Sequence, residues 1–124
     1  MNAKETTERV YKCGFEFTLD MISGRWKGLI LWYLGFGTLR YNELRKILKP
    51  ITQKMLTQSL RELESDGLII RTVYPVVPPK VEYTLTEEGE KLIPLFKMLQ
   101  EWGTRVADER GVMTECALKA LEKQ

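Results

Sequence analysis

Three prolines fall within five positions, Pro75, Pro78 and Pro79, and no other feature of the chain restricts its fold as strongly. Each proline fixes φ and removes a backbone donor, so "PVVPP" can be neither helix interior nor central strand. The residues on both sides alternate in polarity. In "LIIRTVY", Leu68, Ile70, Thr72 and Tyr74 share one side, and Ile69, Arg71 and Val73 share the other. In "KVEYTLT", Val81, Tyr83 and Leu85 are expected inward, and Lys80, Glu82 and Thr84 outward. The stretch 68–86 therefore predicts an antiparallel hairpin with a broad, stiff tip, in a chain that otherwise reads as helical.

The segment before the hairpin carries two helical patterns. "YNELRKIL" places Tyr41, Leu44, Ile47 and Leu48 at helical spacing. That helix must end near Lys49, because Pro50 disfavours helical geometry in the residue before it. Thr52 then offers an N-cap for "QKMLTQSLRELESD", and Gly67 stands at a C′ position. A short helix, a tight turn and a longer helix over 41–66 match a helix-turn-helix. Helical hairpins are common, so the pattern alone does not identify DNA binding. The second helix adds to it. Leu56, Leu60 and Leu63 form its buried stripe, while Gln53, Lys54, Thr57, Gln58 and Arg61 occupy the other face.

Those side chains suit nucleic acid. Arginine pairs with guanine O6 and N7, glutamine with adenine, and a threonine methyl with the thymine methyl. The free N–H groups at Thr52 and Gln53 favour a phosphate, and the acids Glu62, Glu64 and Asp66 come only after this stretch. The alternative is a solvated polar face, which every amphipathic helix has. A hairpin directly after a helix-turn-helix is the layout of a winged helix, with Arg71 and Lys80 as wing contacts to phosphate or minor groove. Exposed apolar or acidic residues on this helix would instead favour protein contacts, and they are not what the sequence has there.

Charge is distributed unevenly. The net charge of +2 divides into +1 over residues 1–39, +4 over 40–80 and −3 over 81–124. Residues 44–61 hold five basic side chains and no acid, a local footprint for a polyanion. The chain has no histidine, which excludes Ser-His and Cys-His nucleophile pairs and the two-cysteine, two-histidine zinc site. No phosphate-binding glycine loop is present either, so neither an enzyme, a metal nor a cofactor is expected. Two cysteines, Cys13 and Cys116, do not make a disulfide framework. The longest apolar stretch, "GLILWYLGFG", is too short to span a bilayer, and the polar N-terminus is no signal peptide. A single cytoplasmic domain over 1–124, without membrane contact, is the expectation.

The flanking segments complete the layout. "FTLDMIS" predicts a short helical turn, and residues 25–35, apolar nearly all round, a central buried helix. There Trp26, Ile30 and Tyr33 form one stripe, Leu31 and Leu34 another, and Trp26 and Trp32 are expected in the core. From Thr86, a possible cap, a C-terminal helix carries Leu92, Phe96, Leu99, Trp102 and Val106 along one face. Pro94 predicts a kink or a delayed start in it. A last helix, "TECALKALEK", has Cys116, Ala117, Ala120 and Leu121 at its apolar positions. These helices exceed what a minimal winged helix needs. Residues 1–22 and 87–124 are therefore expected to form a homodimer interface, because a two-fold operator requires a two-fold protein. The fold class is α+β, mostly helical: a winged helix-turn-helix with a wing of two to three antiparallel strands.

One long ordered series now carries a resemblance: a cysteine before "TLDMISGRWKGLILWYL", then "LRYNELRKIL", then "ITQKMLTQSLRELESDGLIIRTVYPVVPPKVEYTLTEEG", and finally "EWG". Over about 13–102 the chain resembles the HxlR family of bacterial winged-helix transcriptional regulators, relatives of the MarR group. The resemblance implies a dimeric DNA-binding regulator with its recognition helix over about Thr52–Asp66 and its wing over Leu68–Thr86. It also places a cysteine at Cys13, which several members use to sense oxidants or electrophiles. Many members have proline after that cysteine, where this chain has Gly14. Arg9 and Lys12 stand near Cys13, and basic neighbours raise a thiolate fraction. Two readings stay open: redox control through Cys13, or a structural Cys13 at the dimer interface in a regulator that answers to a small-molecule ligand or serves protein contacts. Cys116 reads as packing or as a resolving partner.

Overall fold

Proline, glycine and threonine positions divide the chain into its elements. The computed structural model describes residues 9–115. In chain order these are α1 (Gly14–Met21), α2 (Lys27–Leu34), β1 (Leu39–Arg40), α3 (Tyr41–Ile47), α4 (Gln53–Ser65), β2 (Ile69–Tyr74), β3 (Lys80–Leu85) and α5 (Glu87–Glu109). The expected last helix lies outside the described residues. α1 runs longer than the single turn that "FTLDMIS" predicts, starting directly after Cys13.

Both ends of α4 close as its sequence requires. The Thr52 hydroxyl accepts from the Met55 N–H at 3.1 Å, satisfying a donor that has no partner within the helix. At the other end Gly67 takes φ +77°, and the Gly67 and Leu68 N–H groups donate to the carbonyls of Glu64 and Leu63. That pair of bonds is a Schellman motif, and it turns the chain straight into β2. α3 starts on a bond from the Arg40 N–H to the Glu43 carboxylate at 2.8 Å. It ends by Leu48, ahead of Pro50, whose peptide bond is cis.

The core forms where α2, α4 and the sheet meet. Ile30, Leu31, Leu44, Leu56 and Leu63 are fully buried, with Trp26, Leu34, Leu48, Ile51, Leu60, Leu68, Ile69 and Tyr83 around them. Removing side chains of this size from water stabilises by about 1.5–3 kcal/mol each. Trp26 is in the core as expected, but Trp32 is only half-buried. Ile47 departs from its apolar stripe and is exposed, since Leu44 and Leu48 already fill the contact under α3.

The hairpin forms as predicted, and a third strand completes the sheet, within the two to three expected. β2 and β3 pair antiparallel through Ile69↔Leu85, Arg71↔Tyr83 and Val73↔Val81, with Ile70↔Thr84, Thr72↔Glu82 and Tyr74↔Lys80 on the opposite face. β1 adds to the other edge of β3 through Leu39↔Tyr83 and Arg40↔Glu82, for the order β1-β3-β2. Ile69 is buried while Ile70 is exposed, so the inward face of β2 is the one that carries Arg71. Pro75–Pro79 form the exposed tip, and the Val77–Pro78 bond is cis. The result is a winged helix-turn-helix.

Thr86 starts α5. Its hydroxyl accepts from the Gly89 N–H at 3.1 Å and donates to the Gly67 carbonyl at 2.6 Å. α5 begins at Glu87 and continues through Pro94, so the delayed start expected there does not occur. The chain divides into two compact units between Ile93 and Pro94. In the second unit Leu95, Met98, Leu99 and Trp102 leave an apolar stripe exposed. Leu99 and Trp102 were expected on one face with Phe96, which is buried. No described helix is long and apolar enough to cross a membrane.

The seam at Gly89 makes a stability prediction. A Cβ there would run into the Leu68 carbonyl oxygen, which already accepts the Thr86 N–H at 3.0 Å. Alanine gains up to about 1 kcal/mol of helix propensity. Backbone overlap costs about 1–3 kcal/mol, and the overlap wins. Gly89→Ala is therefore expected to lower unfolding free energy in a urea titration. Gly28→Ala, where an added methyl meets nothing within 4 Å, should not.

Candidate nucleic-acid interface

With Leu56, Leu60 and Leu63 buried, the opposite side of α4 must face outward. Thr52, Gln53, Lys54, Thr57, Gln58 and Arg61 line one open concavity of about 750 Å³. The structure thus brings together six of the eight residues expected at the interface. Their chemistry is that of donors and cations, with a helix N-terminus at one end.

Two further residues fix how this face is presented, and neither was expected to. The Tyr41 hydroxyl donates to the Gln53 carbonyl at 3.2 Å and lies 3.1 Å from the Thr57 hydroxyl. This ties the first turn of α3 to the first turns of α4 and engages the Thr57 hydroxyl, leaving its methyl. Lys27, at the start of α2, meets the Glu62 carboxylate at 2.9 Å, and the other Glu62 oxygen accepts from the Gln58 amide at 3.2 Å. By spacing Tyr41 belongs with Leu44, Ile47 and Leu48, and nothing in the chain order connects Lys27 to Glu62.

Electrostatics follow from that cluster. Burial pushes the Glu62 carboxyl up, but the hydrogen bonds from Lys27 and Gln58 and the Lys27 charge outweigh it, leaving it below its ordinary 4.5. Burial also pushes Asp66 up; Lys27 opposes this, while Glu62 and Asp20 add to it.

The wing contributes unequally. Arg71 lines a second cleft of about 350 Å³ with Thr57, Leu60, Arg61, Glu64 and Tyr83. Lys80, expected as a wing contact, is engaged within the sheet. Its Nζ is 3.4 Å from Glu82 and 4.6 Å from the centre of the Tyr74 ring. Arg40 approaches the same Glu82 carboxylate at 4.0 Å.

A third concavity, about 390 Å³, is lined by Asn42, Arg45, Lys46, Lys49, Pro50 and Ile51. These three cations belong to the basic footprint read from the sequence but were not among the expected site residues. Arg45, Lys46, Lys49, Lys54, Arg61 and Arg71 make no ion pair with any described carboxylate. Six uncompensated cations therefore face solvent in three concavities around the helix-turn-helix.

Cys13 stands apart from these surfaces. It is exposed, carries a free thiol and precedes the first turn of α1, its carbonyl accepting from the Phe17 N–H at 3.3 Å. Of its expected basic neighbours, Arg9 is paired with Asp20 at 3.2 Å and stacks on Tyr11 at 4.5 Å. Cys116 lies outside the described residues.

Comparison with known proteins is consistent with this arrangement. Residues 21–111 match the HxlR-like helix-turn-helix family. The chain is 52% identical over 99 residues to YkvN of Bacillus subtilis (strain 168), an uncharacterised HTH-type transcriptional regulator, covering 80% of this chain and 84% of that one. Among solved structures, the redox regulator HypR in its reduced form superimposes with a TM-score of 0.76 at 49% identity, covering 80% of this chain and 98% of that one. The oxidised form of HypR gives 0.72 at 53% identity, covering 75% and 96%.

The Lys27–Glu62 pair carries a pH prediction. A carboxyl held low in the folded state contributes stability above its unfolded value, and that contribution is lost as pH falls through the folded value. Lys27→Met is expected to cost about 1 kcal/mol near neutral pH. Its deficit relative to the parent should shrink as pH falls below 4.5. Denaturant titrations at several pH values would show it, and a deficit independent of pH would reduce Lys27 to a packing role.

Proposed function

The chain belongs to the HxlR-like helix-turn-helix family of DNA-binding transcriptional regulators, and on that premise we propose that it acts as a homodimer on a roughly palindromic operator. In this reading α4 enters the major groove. Gln53, Lys54, Thr57 and Gln58 lie against base edges, and the Thr52 end of the helix lies against a phosphate. Arg45, Lys46 and Lys49 follow the flanking backbone, and Arg71 and Lys80 approach from the wing. The observation that carries it is the set of six unpaired cations around an exposed polar helix face. Neutralising phosphates with such charges releases counterions and needs no existing ion pair to break.

A monomer covers one half-site, and two half-sites one helical turn apart need two copies. The exposed apolar residues of α1, Phe15, Phe17 and Leu19, and the stripe of Leu95, Met98, Leu99 and Trp102 support self-association. The protein would work where chromosomal DNA is, in the cytoplasm.

Binding to duplexes selected from a random pool is expected to weaken steeply as salt rises, by several decades between 50 and 200 mM, as for about 6–10 phosphate contacts. Gln58→Ala should cost about 1–3 kcal/mol and flatten preference at one base pair per half-site, leaving the salt dependence alone. Failure to bind any duplex at low salt would end the reading.

Control by oxidation of Cys13 is the regulatory part of the proposal. The exposed thiol supports it, as does the similarity to HypR, a redox regulator solved in oxidised and reduced forms. Mild oxidant is expected to shift operator affinity of the parent and leave Cys13→Ser unchanged. Non-reducing gels would separate an intersubunit disulfide from another modification. Equal responses in both proteins would make Cys13 structural.

A further inference from the structure

Arg61 and Arg71 belong to different elements, and the strand register is what brings them together. Arg71 pairs with Tyr83, so it leaves the sheet on the face that Tyr83 shares. Arg61 lies nine positions beyond the Thr52 cap. Both then line the cleft of about 350 Å³ between α4 and the wing, with Thr57, Leu60, Glu64 and Tyr83. Neither guanidinium is paired with a described carboxylate, although Glu64 shares the wall.

We propose that this cleft seats one backbone phosphate of the bound duplex, held between Arg61 and Arg71, so that Arg61 positions the protein and does not read guanine. The inference rests on the DNA-binding reading above and assigns a role within it. A helix in the major groove and a wing at the adjacent minor groove are separated by one sugar–phosphate strand. That strand must pass through the concavity between the two elements, which both arginines line. Base contacts come from the first turns of a recognition helix. Arg61 stands about 13 Å along the axis from the cap, at 1.5 Å per residue. The guanidinium fork also matches a phosphate bidentately, and two forks from two elements fix its position. Glu64 offsets part of their charge, so it weakens the seat without closing it.

Affinities for selected duplexes across a range of salt test this. Arg61→Ala and Arg71→Ala should each weaken every duplex by a similar factor, about tenfold, and keep the order of sequence preference. Because the two share one phosphate, the double variant should lose less than the product of the single losses. With one such phosphate in each half-site of the homodimer, it should reduce the steepness of log affinity against log salt by about two, not four. Arg61→Lys should keep the salt dependence, and Glu64→Gln should tighten all duplexes alike. A neutral methylphosphonate replacing the seated phosphate in each half-site should abolish the difference between parent and double variant. Loss of preference at one base pair in Arg61→Ala would overturn the proposal. So would multiplicative losses with a slope change of about four. If the parent binds no duplex at low salt, the DNA-binding reading itself fails, an outcome distinct from either.

Discussion

Burial of Leu56, Leu60 and Leu63 on one side of α4 determines how everything else is presented. The three leucines are each at most 2% exposed, and α4 packs through them against α2 and β2. With one helix face committed to the core, the other cannot rotate away from solvent without exposing roughly 5–9 kcal/mol of transfer free energy. The caps at Thr52 and Gly67 then fix the helix along its axis. Orientation and register of the polar face are consequences of packing.

The parts of the fold that were legible in the sequence are those governed by local rules. Thr52 and Gly67 bracket α4 because capping chemistry acts within four residues. Pro50 stops α3 and the Pro75–Pro79 run forms the hairpin tip for equally local reasons. The polar face of α4 followed from helical period alone. Tertiary competition decided the rest. Ile47 was exposed because its neighbours already filled the space beneath α3, and Trp32 was left half-buried. Pro94 did not interrupt the start of α5, which the Thr86 hydroxyl anchors eight residues earlier.

Pairing across elements was the least legible part of the site. Either side of β2 could have faced inward, since Leu68, Ile70 and Tyr74 look more apolar than Ile69, Arg71 and Val73. The register with β3 selects the second set, and it does so while burying both Leu68 and Ile69 at the strand entrance. This choice carries Arg71 to the face of Tyr83, toward Arg61. Lys27 with Glu62 and Tyr41 with Thr57 are likewise products of packing. No periodicity in the chain anticipates them.

These pairs also explain how a chain of net charge +2 presents a strongly positive surface. Two carboxylates close to the interface are taken up by cations that are not part of its unpaired set. Glu62 is held by Lys27, and Glu82 is shared by Lys80 and Arg40. Ion pairs still partly in contact with water, as these are, contribute only about 1 kcal/mol or less each, so stability is a weak reason for them. Their electrostatic effect is larger. Each removes an acid that could otherwise fold back on Arg45, Lys46, Lys49, Lys54, Arg61 or Arg71. The six cations therefore stay hydrated and unpaired until a polyanion displaces their counterions, and net charge is the wrong measure of what the surface can bind.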